Sequence, residues 1–205
     1  MDPRTDRSIA AYDAAAEAYQ QAWWDHRPLD AVRTFARMAG RGALVIDVAA
    51  GPVLDVRVLR DAGLVVVAGD RSAASMAIGG KLFPKKPLAV WDYRRLPFVD
   101  ATFEGVWAPA ALQHLPRAEM RAGLAELRRV HRAGPIFVSF REGSGDLELV
   151  ADEPAGDVHV TSVSEPELKA LLADQGYASV EVERRPDPAG RRDVTWLYGW
   201  GRASG

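Results

Sequence analysis

The sequence predicts an α/β fold: a doubly wound, mostly parallel sheet of seven strands whose last strand runs antiparallel. Three observations carry this expectation. Short apolar runs without polar alternation recur near 43–46, 64–68, 88–91, 103–107 and 136–140, the texture of strands buried on both faces. Helical patterns separate them, as in successive strand–helix–strand units. The last third adds two strand-like segments joined by a polar turn. At 205 residues, 48% hydrophobic and 26% charged, the chain is expected to form one domain over 1–205, with a core that needs no covalent staple.

Each element has a local reason. Ile9, Tyr12, Ala16, Tyr19 and Trp23 recur at steps of three and four, so 8–24 reads as one amphipathic helix. A second helix starts after Pro28, runs to Met38 and stops at Gly40. The first strand ends at Asp47 and leads through Ala49-Ala50-Gly51 into a helical pattern over 53–61. The second strand ends at Gly69-Asp70 and precedes a helix over 72–78. The third ends at Asp92 and the fourth at Trp107. Leu124, Leu127 and His131 mark one side of a helix over 117–131, and Gly134-Pro135 opens the fifth strand. Ser164 and Glu167 form a capping box for a helix reaching Asp174. In the final strand Val194, Trp196, Tyr198 and Trp200 share one face, where Trp196 and Trp200 are expected to close the core. Right-handed crossovers make such a sheet Rossmann-like.

Composition excludes several function classes. Cys is absent, which removes disulfides, thiolate nucleophiles and Cys-ligated metals. His26, His114, His131 and His159 show no metal-ligand spacing. A net charge of −2 gives no general attraction to nucleic acid or anionic membrane. No apolar run is long enough to span a bilayer, and the N-terminal segment has no apolar signal core. The expectation is a cytoplasmic protein with a small-molecule substrate, as a monomer or homodimer, with no metal.

Ligands of open α/β sheets bind beyond the carboxyl ends of the strands. Asp47, Asp70 and Asp92 fall at three successive ends. Carboxylates accept hydrogen bonds from hydroxyl and amino donors and repel pyrophosphate. The turn Ala49-Ala50-Gly51-Pro52-Val53-Leu54 holds one Gly and a Pro without an N–H, so it lacks the glycine-rich phosphate cradle of dinucleotide sites.

The ordered motifs resemble those of the small class I S-adenosylmethionine (SAM)-dependent methyltransferases over nearly the whole chain. These are Tyr12-Asp13 with Tyr19, the segment Asp47 to Val53, Asp70, Asp92 within Trp91 to Phe98, and Phe103 to Ala108 running on to Leu112-Gln113-His114-Leu115-Pro116. Of the family's three motif glycines only Gly51 remains, and Ala49 and Val53 replace the others. The resemblance implies SAM as cofactor and S-adenosylhomocysteine as product. It implies a cofactor site of Tyr12, Tyr19, Asp47, Ala49, Gly51, Asp70, Arg71, Asp92, Tyr93, Trp107 and Ala108, with Asp70 on the ribose hydroxyls and Asp92 on the adenine amine.

Methyl transfer needs an acceptor held in line with the C–S bond. His114 is the candidate base, and Tyr12 is a candidate catalytic residue on a helical lid formed by residues 1–40. The segment 141–163 is expected to complete the roof, with 157–161 lining it. Plainer readings stand beside these: single acids capping helices, the Tyr12–Tyr19 stripe as core packing, and His114 bonded to backbone. The altered glycine motif keeps two other functions open. One is a cyclase or isomerase on the same fold, and the other is a non-catalytic partner subunit.

Overall fold

The computed structural model describes residues 2–84, 87–152 and 154–204. The elements in chain order are α1 (Pro3–Ala14), α2 (Ala16–Trp23), α3 (Leu29–Ala39), β1 (Leu44–Asp47), α4 (Val56–Asp61), β2 (Val65–Asp70), α5 (Ala73–Leu82), β3 (Leu88–Val90), β4 (Gly105–Ala108), a 3-10 turn (Leu112–His114), α6 (Arg117–Val130), β5 (Gly134–Arg141), β6 (Glu148–Asp152), β7 (Gly156–Val160), α7 (Glu165–Asp174), β8 (Ala178–Pro186) and β9 (Thr195–Ala203). The main sheet has the order β3-β2-β1-β4-β5-β9-β8. β1 to β5 pair in parallel, and β9 runs antiparallel to both β5 and β8. The fold is the α/β, Rossmann-like sheet that the sequence predicts. No helix among the described residues is long and apolar enough to cross a membrane.

The two faces of the sheet separate as strand alternation requires. Ile46, Val106, Ile136, Val138 and Leu197 pack with Leu124 and Leu127 of α6 and Leu168 and Leu172 of α7. Val45, Trp107, Phe137 and Tyr198 pack on the other side with Phe35 of α3 and Val56 and Leu59 of α4. Trp107 and Phe137 stack with ring centroids 4.3 Å apart. The capping box of α7 is present in both directions, Ser164 Oγ accepting from Glu167 N–H and Glu167 accepting from Ser164 N–H.

Three expectations need correction. The helix foreseen over 8–24 is two helices, because Ala15 leaves helical geometry (φ −103°, ψ 10°). The helix foreseen from 53 starts at Val56, because Val53 is in the left-handed region (φ 59°) and cannot continue a helix. The stretch 141–163 holds the antiparallel hairpin β6–β7. Val158 and Val160 of this hairpin pack on Ala11, Tyr12, Ala15 and Tyr19. It therefore backs the helices α1 and α2 from outside.

Close approach fixes the edge of the sheet next to Asp70. A Cβ on Gly69 would lie 2.4 Å from the Ala89 carbonyl and 2.5 Å from the Trp91 indole. Trp91 is itself held by its Nε1–H, which donates to the Val48 carbonyl at 2.8 Å. Gly69→Ala is expected to destabilise the protein by about 1–3 kcal/mol, as overpacking of a tight site does. Urea unfolding of the variant and the parent measures it.

Candidate functional site

A cavity of about 190 Å³ opens at the carboxyl ends of the parallel strands. Its floor is Asp47, Ala49, Ala50 and Gly51 after β1, Asp70 and Arg71 after β2, Pro109 to Ala111 after β4, and Ser139 of β5. Its roof is Ile9, Tyr12, Tyr19 and Trp23 from α1 and α2.

The turn after β1 is built around Asp70. Its Oδ2 accepts from Gly51 N–H and its Oδ1 from Ser72 N–H, both at 2.8 Å. One side chain thus fastens the β1 turn to the end of β2 and to the start of α5. Ala50 N–H donates to the Gly69 carbonyl at 3.0 Å and reinforces the tie. Val53 keeps the conformation that a glycine would favour. The strain of such a β-branched residue is of order 1–3 kcal/mol. Full burial of its side chain among Val56, Leu59 and Met76 offsets that cost. At Gly51 (φ 50°) an added Cβ would meet nothing within 4 Å, so the turn leaves open space there.

Electrostatically the floor is acidic. Asp47 is 1% exposed, and its Oδ1 has no hydrogen-bond partner among the described residues. Burial, then the nearby Asp55 and Asp70 carboxylates, pushes its pKa well above the usual range. Asp55 lies on the same wall. Its Oδ2 accepts from the Trp107 indole N–H at 3.0 Å, while its Oδ1 has no partner. Burial raises Asp55 to about 6, against the pull of Trp107 and Arg27. Burial also raises Asp70, in spite of its backbone hydrogen bonds.

The roof is tied down at several points. Thr5 Oγ1 donates to the His114 carbonyl at 2.7 Å, and Ser8 Oγ accepts from His159 N–H at 2.8 Å. Asp13 accepts from Ser72 Oγ–H and Ala74 N–H at the start of α5. Tyr12 packs edge-on against both Tyr19 and His114, with centroids 5.3 and 5.2 Å away. His114 Nδ1 lies 3.0 Å from the His159 carbonyl. A carbonyl only accepts, so Nδ1 carries the proton of the neutral ring and Nε2 is its basic nitrogen.

The structure therefore brings Tyr12, Tyr19, Asp47, Ala49, Gly51, Asp70, Arg71, Tyr93 and His114 to one cavity. Three expected residues do not line it. Asp92 is turned into a bidentate pair with Arg94 and lies 3.5 Å from Arg71, and although burial opposes this, these partners lower its pKa. Trp107 and Ala108 are buried in opposite faces of the sheet. Residues 157–161 also stay off the wall. His159 meets the site through its backbone, and Thr161 Oγ1–H donates to the Leu115 carbonyl.

Sequence reasoning missed Arg27, Asp55, Ser139, Arg191, Trp196 and Tyr198 on the wall. For the two aromatics a signal existed. A last strand running antiparallel starts where the parallel strands end, and Trp196 is paired with Arg141. Asp55 falls inside the helix foreseen over 53–61; the structure puts it at the N-cap of α4, where its side chain makes no cap bond.

The raised carboxyl of Asp55 gives a signed prediction. A carboxyl whose folded pKa lies above its unfolded value costs no stability below the unfolded pKa. The cost grows as pH rises and is complete above the folded pKa. Asp55→Asn is therefore expected to be more stable than the parent above pH 6, by about 3 kcal/mol. The gap closes toward pH 4. Thermal midpoints across this range measure it, at about 2–4 °C per kcal/mol for a chain of this size.

Residues 46–139 match the model of the methyltransferase domain family. The chain is 32% identical over 148 residues to a demethylmenaquinone methyltransferase of Renibacterium salmoninarum, covering 67% of this chain and 60% of that one. It is 31% identical over 181 residues to a demethylmenaquinone methyltransferase of Mycolicibacterium gilvum, covering 79% and 77%. Matches span 45–60% of the length of the first three curated relatives. Among solved structures, 1,6-didemethyltoxoflavin-N1-methyltransferase of Burkholderia thailandensis, with bound 1,6-didemethyltoxoflavin and S-adenosylhomocysteine, superposes with a TM-score of 0.76 at 20% identity. That match covers 100% of this chain and 92% of the other. On motif order, sheet topology and these similarities, the chain belongs to the methyltransferase domain family.

Proposed function

We propose that the protein transfers the methyl group of SAM to a small-molecule acceptor, acting as one methyltransferase-like unit in which residues 1–40 are a helical lid. The observation that carries this reading is the convergence of Asp47, Gly51 and Asp70 on one cavity beneath Tyr12, Tyr19 and Trp23. The relatives' names support a small-molecule acceptor, since they are demethylmenaquinone methyltransferases.

The donor set fits such a cofactor. The partnerless Oδ1 atoms of Asp47 and Asp55 call for N–H or O–H donors or a cation, and SAM offers hydroxyls, an ammonium and a sulfonium. The open space over Gly51 leaves room for close approach. Each Asp70 oxygen already accepts one backbone N–H and keeps a second acceptor site for a ribose hydroxyl. Asp92, paired to Arg94, takes no role in this reading.

When bound, SAM supplies an electrophilic methyl carbon with a thioether leaving group. The protein's own part is positioning and exclusion of water. Tyr12, Tyr19 and Trp23 offer aromatic faces that favour a cation over bulk water. His114, oriented by the His159 carbonyl, presents Nε2 to take the proton of an acceptor hydroxyl or amine. His114 would take the acceptor's proton, while the roof residues would hold the acceptor toward the methyl donor with water excluded.

Calorimetry with S-adenosylhomocysteine is the first test. Binding by the parent, weakened about 10–100-fold in Asp70→Ala, is the expected result. A folded parent that binds neither SAM nor S-adenosylhomocysteine would overturn the reading. With a turned-over acceptor in hand, His114→Ala is expected to lower kcat by about 10²-fold or more with cofactor affinity unchanged. Turnover without release of S-adenosylhomocysteine would point to the cyclase or isomerase class.

A further inference from the structure

We infer that the Gln113 side-chain amide selects the methyl acceptor, its Oε1 accepting a hydrogen bond from an N–H or O–H of a flat aromatic substrate held against Trp196 and Tyr198. The inference rests on the cofactor reading above and names the acceptor class of that same site.

Gln113 is a buried amide on the cavity wall, 2% exposed. Its Oε1 is shielded from solvent and has no hydrogen-bond partner among the described residues. A buried amide that serves the fold is bonded by the fold. A leucine or methionine of similar volume would fill the same space and leave no acceptor unmet. The oxygen is therefore available to a donor that enters the cavity.

The turn that carries this amide is pinned on both sides. The Gln113 carbonyl accepts from Thr161 N–H at 2.7 Å. Two residues earlier the Ala111 carbonyl accepts from the Tyr93 hydroxyl at 2.9 Å. One residue later the His114 carbonyl accepts from Thr5 Oγ1–H. Gln113 and the candidate base His114 thus leave the same fixed turn and line the same cavity. A substrate donor bound by the amide is held on the element that also carries the base.

The wall that Gln113 shares is aromatic. Trp196 and Tyr198, two residues apart on β9, line the cavity together, as side chains on one face of a strand do. The Trp196 indole N–H donates to Asp187 at 2.8 Å, and the Tyr198 ring packs edge-on against Phe137 with centroids 5.2 Å apart. Both rings are fixed before a ligand arrives. β4 and β5 lie between β1 and β9 in the sheet, so this wall is separate from Asp47 and Asp70. Fixed aromatic rings give a flat unsaturated molecule a large contact area, and a single amide among them sets which edge of it turns inward.

The test uses 2-naphthol, which carries an O–H donor, and 2-methoxynaphthalene, which has the same ring and no donor. Each is titrated by calorimetry, with S-adenosylhomocysteine in excess, into the parent, Gln113→Leu and Gln113→Met. The parent is expected to bind the naphthol about fivefold or more tighter than the ether. Both variants are expected to lose that preference and to keep S-adenosylhomocysteine affinity within about twofold, with thermal midpoints no lower than the parent's. Equal affinity of the parent for both rings, or a preference that survives in both variants, overturns the inference, because another group then takes the donor. Lowered midpoints in both variants overturn it as well, because the amide then serves the fold. A matching loss of S-adenosylhomocysteine affinity also overturns it, because Gln113 then serves the cofactor. A parent that binds S-adenosylhomocysteine and neither ring overturns the aromatic class and leaves the cofactor reading standing. A parent that shows the expected preference and binds no S-adenosylhomocysteine overturns the cofactor reading alone.

Discussion

The arrangement of the site depends on one buried carboxylate, Asp70, and the backbone donors it holds. Its two oxygens take the N–H groups of Gly51 and Ser72, which belong to the turns after neighbouring strands β1 and β2. Beside that bridge, the Ala50–Gly69 backbone bond also fixes the β1 turn against β2. Ser72 in turn donates its hydroxyl to Asp13 of α1, so the same junction sets the height of the roof. Burial works against this acid and its hydrogen bonds work for it.

The cavity floor carries other local costs. Val53 and Ala110 both adopt left-handed backbone, at φ 59° and 51°. Asp47 and Asp55 each bury an oxygen without a donor. A fold selected for stability alone would avoid all four features. They sit together near the carboxyl ends of the strands, the kind of place where strained backbone and buried charge gather at functional sites. The surrounding packing tolerates the cost. Val53 is buried in one face of the core, and the Trp107–Phe137 stack lies directly beneath Asp55.

The roof is supported by two layers instead of one. α1 and α2 cover the cavity, and the β6–β7 hairpin packs on α1 from the far side. His159 links the layers: its N–H reaches Ser8 on α1 and its carbonyl orients His114. Any displacement of the hairpin would therefore be felt by the roof and by the His114 ring, which lines the cavity. The β8–β9 turn closes another side, where Asp187 binds both Arg191 and the Trp196 indole, and Arg191 reaches over Trp23.

The sheet, the order of its motifs and the acids at two of the strand ends on the cavity wall were legible in the chain. These follow from patterns local in the chain: apolar runs for buried strands, a capping box at Ser164, and Asp47 and Asp70 one residue beyond or at each strand's apolar run. The break at Ala15 and the late start of α4 were not legible, because single residues leave helical geometry there under tertiary packing. Nor was the hairpin at 148–160, whose Val158 and Val160 pack on α1 and α2. Which acids line the cavity follows only from the folded chain. Asp92 stands at a strand end as Asp70 does, yet Arg94, two residues along, turns it away. Asp55 falls within an expected helix, but in the fold the Trp107 indole, 52 residues distant in sequence, claims one of its oxygens and the residue lines the cavity. Motif position reports where a side chain begins. Its competition among hydrogen-bond partners, which only the folded chain assembles, decides where it points.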